Sequence, residues 1–188
     1  MMKPSIDKTV LVTVGTTRFD ALTRAVDSAD FLNALESKGY TRLILQIGSS
    51  EYIPQIVCPE LGANDRGEYT SPKTGFRVEW FRFAPTLKDI MSESSLVISH
   101  AGAGSIFESL SAGIDLIAVP NADLMDNHQA DLSSHLKDMG YLDMATPESL
   151  IDVVKDFDGS KLRRYTSDDG KGIASHIQAR CSFTNKKA

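Results

Sequence analysis

The chain has 188 residues, 41% hydrophobic and 24% charged, a balance that excludes a disordered or fibrous protein and fits a single domain. Its two cysteines, Cys58 and Cys181, are too few for a disulfide framework or a structural zinc cage. No Asn-x-Ser/Thr acceptor, apolar signal core or apolar run of roughly 20 residues occurs, so a reducing, cytosolic compartment is expected. The net charge of −5, from 20 basic and 25 acidic residues, argues against a nucleic-acid partner.

In chain order, residues 9–14 are β-branched and apolar and end at Gly15, the pattern of a buried strand. Leu22, Val26, Ala29 and Leu32 then recur at helical spacing, predicting one helix over about 19–37, closed by Gly39. Residues 43–47 read as a second strand. Residues 49–75 carry no clear period and read as a long excursion, or one hiding a helix near 51–57. A third strand follows over 75–81 and a short helix over 86–92. A fourth strand at 96–99 runs into His100-Ala101-Gly102-Ala103-Gly104-Ser105 and a helix to about Ala112. A fifth strand at 115–119 and helices over about 126–139 and 147–156 complete the pattern. Beyond Asp158 the sequence is polar, and the last dozen residues read as a loose tail or a partner-binding segment.

Strand–helix alternation at this spacing implies βαβ units, hence right-handed crossovers and a parallel sheet covered on both faces. The predicted fold class is doubly wound, Rossmann-like α/β. In such a sheet ligands sit beyond the carboxyl ends of the strands. Two glycine-bearing loops belong there: Val14-Gly15-Thr16-Thr17 and the run from His100 to Ser105. Glycine permits close backbone approach, and a following helix presents free N–H groups and partial positive charge, which suit a phosphate. The residues alone leave a second reading open, two tight turns with Ser105 capping a helix. The second loop is G-x-G-x-x-F. It lacks both the third glycine of the dinucleotide fingerprint and the lysine spacing of a P-loop.

Glu108 falls roughly 150° from the apolar face of the helix after that loop, by a helical period of about 100° per residue. A carboxylate there can accept two hydrogen bonds from a ribose diol, or it is a solvated surface residue. Residues 121–129 pack amides, acids and His128 into one segment beyond the fifth strand. That composition suits sugar hydroxyls, with Asp126 as a helix cap and His128 as a candidate base. Asp156-Phe157-Asp158 matches the short D-x-D pattern of cation–diphosphate sites, but at a helix end. No metal site is expected from the histidine and cysteine spacing.

Three stretches carry a family resemblance: LVTVGTTRFDALTRAV at 11–26, LILQIGSS at 43–50 and LVISHAGAGSIFESLSAGIDLIAVPNADLMDNHQADLS at 96–133. Together they resemble the C-terminal half of glycosyltransferase family 28, over about residues 8–145. Within that family they are similar to the soluble subunits of the UDP-GlcNAc transferases that add the second GlcNAc to dolichol-diphosphate-GlcNAc. The resemblance implies the donor-binding half of a GT-B fold, with residues 1–145 binding UDP-GlcNAc. Residues 146–188 are then a helical segment and tail, a candidate for partner docking. It implies that His100, Gly102, Ala103, Gly104 and Ser105 face the diphosphate, with Gly15 and Thr16 nearby. It places Glu108 on the ribose and Phe83 at the uracil, chiefly through backbone. Asn127, His128 and Gln129 fall at the GlcNAc and diphosphate region. No cofactor or metal is implied.

The expected reaction is attack of an acceptor GlcNAc 4-hydroxyl on the anomeric carbon with inversion. The charge growing on the leaving UDP is stabilised by the helix start at 102–105. A GT-B enzyme needs an acceptor half, which this sequence does not carry. The expectation is therefore a heterodimer with a membrane-anchored acceptor subunit, recruited to the cytosolic face of the endoplasmic reticulum. Two other readings remain at this stage: a non-catalytic nucleotide-sugar module, and an NAD-linked oxidoreductase, against which the missing third glycine counts.

Overall fold

A computed structural model describes residues 8–55, 65–121 and 128–166, the side chains of His128 and Gln129 excepted. Seven strands form one sheet in the order β3-β4-β2-β1-β5-β6-β7. They are β1 (Thr9–Thr13), β2 (Arg42–Gln46), β3 (Arg66–Thr70), β4 (Arg77–Phe81), β5 (Ser94–Ser99), β6 (Asp115–Ala118) and β7 (Asp143–Met144). All neighbours pair in parallel except β3, which runs antiparallel to β4. The central strand β1 is buried along its whole length, as a strand covered on both faces must be.

Helices α1 (Asp20–Val26), α2 (Ala29–Ser37) and α6 (Leu150–Asp156) cover one face. There Phe19, Leu22, Phe31, Leu35, Leu150 and Val154 pack on Val10, Leu43, Val78 and Trp80. Helices α3 (Lys88–Ser92), α4 (Ala103–Ser111) and α5 (His128–Asp138) cover the other, where Met91, Ile106, Leu110 and Leu136 meet Leu11, Ile44, Val97 and Leu116. Each fully buried Leu or Ile stabilises the fold by roughly 1.5–3 kcal/mol. α6 belongs to the first of these cores, so the segment after residue 145 is packed into the same domain as far as it is described.

The single helix expected over 19–37 is two helices. The break falls at Asp27, whose buried carboxylate accepts hydrogen bonds from the Tyr52 hydroxyl and the Gln55 amide. Burial and that carboxylate push the Tyr52 phenol up to about 12. Ser28 then caps α2 by accepting from the Phe31 amide at 3.2 Å. The excursion at 49–75 contains β3, which the sequence reading missed. Residues 52–55 form neither helix nor strand, and residues 56–64 lie outside the described residues. β7 was also missed, being only two residues long.

After α6 the chain returns across the sheet end to the second face. Asp158 accepts from the Ser160 amide and caps a 3-10 turn at Gly159–Lys161, which accounts for the second acid of the D-x-D match. Tyr165 then stacks against Phe107 and Tyr141, and Arg164 pairs with Asp115. Among the described residues no helix is long and apolar enough to cross a membrane.

Candidate functional site

The strand order reverses direction at β1: the chain builds β2 and β4 on one side of it, then returns to place β5 on the other. Such a switch point opens a crevice beyond the strand ends, because successive connections leave toward opposite faces. The two loops that meet there are the ones singled out above. β1 leads into Gly15, and β5 leads into His100 to Gly102.

The His100 imidazole joins the loops. It is 7% exposed and packed between Gly15 and Gly102. A Cβ on Gly15 would stand 2.7 Å from His100 Cε1, and one on Gly102 would stand 2.5 Å from His100 Nε2. Neither glycine can therefore carry a side chain while the ring occupies its place. The His100 amide donates to the Thr13 carbonyl at 3.0 Å, and ring Nδ1 faces the same oxygen at 3.3 Å. A carbonyl only accepts, so Nδ1 carries the proton. Burial pushes the imidazole below the usual histidine range, opposed by the bond to Thr13, so the ring is neutral near pH 7.

Gln46 at the end of β2 is a second hub. Its amide nitrogen donates to the Gly15 carbonyl at 2.7 Å and the Arg82 carbonyl at 2.6 Å, and its oxygen accepts from Thr13 Oγ1 at 2.6 Å. Gly48 lies against the same loop: its amide donates to the Arg82 carbonyl, and a Cβ on it would meet the Gly15 oxygen at 2.5 Å. Asn121 donates to the Arg18 carbonyl at 3.1 Å, tying the end of β6 to the β1 loop. The ends of five strands, β1, β2, β4, β5 and β6, are thus braced to one another before any ligand arrives. Sequence reading missed Gln46 altogether. Its only signal is an amide at the end of an otherwise apolar strand.

α4 begins at Gly102, an N-cap with no side-chain cap bond, and Ile106 donates back to the Gly102 carbonyl. Ser105 therefore lies inside the first turn and is not the cap that the turn reading gave it. The amides of Ala103, Gly104 and Ser105 precede the helical ladder, where backbone donors lack intrahelical partners. Ala103 and Gly104 are exposed. A Cβ on Gly104 would meet nothing within 4 Å. Packing among the described residues gives no reason for a glycine there, and a helical glycine costs roughly 0.5–1 kcal/mol relative to alanine. Ala101, just before, is fully buried with φ +67, a left-handed conformation that non-glycine residues rarely adopt.

Glu108 is exposed, on the side of α4 away from the buried Ile106 and Leu110. Thr16 is exposed beside Gly15, and the Thr16 carbonyl accepts from Ser49 Oγ at 2.9 Å. Phe83 is 57% exposed and lines an open cleft of about 520 Å³ with Phe81, Pro85, Ile90, the edge strand β3 and its neighbour β4. Its backbone neighbour Arg82 is held by Gln46 and Gly48, so that cleft and the Gly15 loop share a support. His128 and Gln129 open α5, with side chains outside the described residues, as is Asn127. Among the described residues, no three His, Cys, Asp or Glu side chains converge as a metal cage would need.

The chain matches the Glycosyltransferase family 28 C-terminal domain over residues 9–179. It is 42% identical over 135 residues to the UDP-N-acetylglucosamine transferase subunit ALG13 of Homo sapiens, which covers 72% of this chain and 11% of that protein. The chain therefore spans about a tenth of the length of that human relative. It is 36% identical over 165 residues to the subunit of the same name from Cryptococcus neoformans, covering 79% of this chain and 82% of the relative. The NMR solution structure of ALG13 superposes with a TM-score of 0.63 at 29% identity, over 84% of this chain and 89% of that one. The crystal structure of Acinetobacter baumannii MurG is similar in fold alone, with a TM-score of 0.59 at 18% identity, over 86% of this chain and 44% of that one. The doubly wound sheet is thus the C-terminal half of a GT-B architecture, and the chain belongs to the glycosyltransferase family 28 C-terminal domain family.

Proposed function

We propose that this chain is the donor-binding, catalytic subunit of an inverting N-acetylglucosaminyltransferase. It moves GlcNAc from UDP-GlcNAc to GlcNAc-diphosphodolichol and works with a membrane-anchored partner that holds the acceptor at the cytosolic face of the endoplasmic reticulum. The relatives carry the name UDP-N-acetylglucosamine transferase subunit, which supports both the donor and the shared labour. The observation that carries the reading is the start of α4: Gly104, which nothing among the described residues requires, beside two loops locked together by His100. A diphosphate lying across Gly102 to Ser105 would be met by backbone donors and the positive end of the helix. Gly15 and Thr16 border the same space. Glu108 takes the ribose hydroxyls, and the backbone near Phe83 takes the base. Asn127, His128 and Gln129 are assigned to the sugar and diphosphate.

When the acceptor oxygen bonds to the anomeric carbon, the bond from that carbon to the diphosphate breaks. Charge then grows on UDP, where fixed amide dipoles stabilise it without reorganising. The test is transfer of labelled GlcNAc to a dolichol-linked acceptor by the chain together with its partner. Transfer only by the pair is expected; a pair that binds UDP-GlcNAc and never transfers it would leave a nucleotide-sugar module. Glu108→Ala is expected to leave stability within about 0.5 kcal/mol. It should weaken UDP-GlcNAc binding by roughly ten- to a hundredfold, through loss of hydrogen bonds to a charged group. Titration calorimetry and a denaturant series measure the two separately.

A further inference from the structure

The donor reading places His100 toward the diphosphate but leaves its protonation state unassigned. Nδ1 is committed to the Thr13 carbonyl. Nε2, the edge beside Gly102, makes no hydrogen bond within the described structure, and it is not among the fully buried unpartnered atoms although the residue as a whole is more than nine-tenths buried, so this atom is open to what enters from outside. With the proton on Nδ1, Nε2 holds a bare lone pair at the joint of the two loops. A phosphate oxygen brought there would meet lone pair against lone pair. One added proton turns that repulsion into a charge-assisted hydrogen bond.

We propose that binding of the nucleoside-diphosphate sugar draws one proton onto Nε2 of His100, so that an imidazolium wedged between the glycine loops carries counter-charge to the diphosphate. This rests on the donor reading above. The proton comes from bulk water on binding, stays on Nε2 while the nucleoside diphosphate departs, and returns to water on its release. The Thr13 carbonyl keeps its bond to Nδ1 throughout and stabilises the charged ring from behind. Burial, which keeps the empty site neutral, is what makes the uptake a binding event. The charged groups on the surrounding elements do not compete for the ring. Arg18 on the β1 loop pairs with Asp20 and Glu51, Asp115 at the start of β6 pairs with Arg164, and Arg42 at the start of β2 pairs with Glu79. Glu108 lies beyond the first turn of α4, and Asp123 and Asp126 fall outside the described residues.

The experiment is calorimetric titration of the whole chain with UDP-GlcNAc in buffers of low and high ionisation enthalpy, from pH 6.5 to 8.5. The sugar nucleotide is the probe because its diphosphate diester has no titration of its own in that range. The expected result is uptake approaching one proton, with affinity weakening by up to about tenfold per pH unit as pH rises, and loss of the uptake in His100→Gln. Long-range 15N–1H NMR of the unmutated chain reads the ring directly, whether or not the variant folds. Nε2 should move from its lone-pair position to the protonated one at saturation. Binding with no buffer dependence and an unmoved Nε2 overturns the proton proposal and leaves the donor reading standing. Absence of any binding overturns the donor reading and this proposal with it.

Discussion

The two glycine loops sit side by side at one sheet edge, yet they need glycine for different reasons. In the first, Gly15 has φ +64, so the backbone itself demands it, and the ring of His100 removes any room for a side chain. In the second, the left-handed residue is Ala101, while Gly102 has an ordinary φ of −63 and is required only because His100 fills the space of its Cβ. Gly104 is needed by neither constraint. The first loop is braced by the close backbone approach of Gly48 and by the side-chain amide of Gln46; the second is braced by one aromatic side chain. The same letter in the sequence thus marks a conformation and a close internal approach, while at Gly104 neither applies and the proposed donor site supplies the reason.

The sharpest way to break this comparison is Gly48→Ala. It combines φ +51 with backbone oxygens at 2.5 and 2.7 Å, neither of which can swing aside. A loss of about 3 kcal/mol or more is expected, adding backbone strain to overpacking. Urea denaturation measures it, and a loss below 1 kcal/mol would show that the first loop is soft. Gln46→Leu should cost roughly 2–4 kcal/mol, because two carbonyls, of Gly15 and Arg82, lose a buried donor at once. Near-wild-type stability in the same assay would mean that water replaces the amide.

The next effect is a pH slope. The folded imidazole of His100 is held below its unfolded value of about 6.5 by burial, so the unfolded chain binds the proton first. Stability should therefore fall as pH drops below about 6.5 and level off beneath the folded value. The decline should be shallower in His100→Gln when urea midpoints are compared from pH 8 to 5. The smallest change separates the loops most finely: Gly104→Ala should raise stability by about 0.5–1 kcal/mol while weakening UDP-GlcNAc binding. An alanine there that stabilises without harming binding would remove the external reason for that glycine.

Periodicity located the five longer parallel strands, because a strand buried on both faces leaves an apolar run that few other structures explain, as residues 9–14 and 43–47 do. Strand-to-helix glycines likewise placed both loops at one edge. β3 escaped because it is an edge strand of alternating exposed and half-buried residues, Arg66 to Thr70, whose inner positions hold only Gly67 and Tyr69. The break between α1 and α2 escaped because Asp27 is drawn inward by Tyr52 and Gln55, more than 20 residues away in sequence.

The order of apolar and glycine residues was enough to specify a doubly wound sheet and the edge at which a ligand would meet it, since both follow from local period and chain chirality. What joins the loops there is not local. The wedge of His100, the triple bond set of Gln46 and the strain at Ala101 exist only once β1, β2, β4 and β5 lie side by side. Only that packing turns the His100 side chain into a buried joint between two loops.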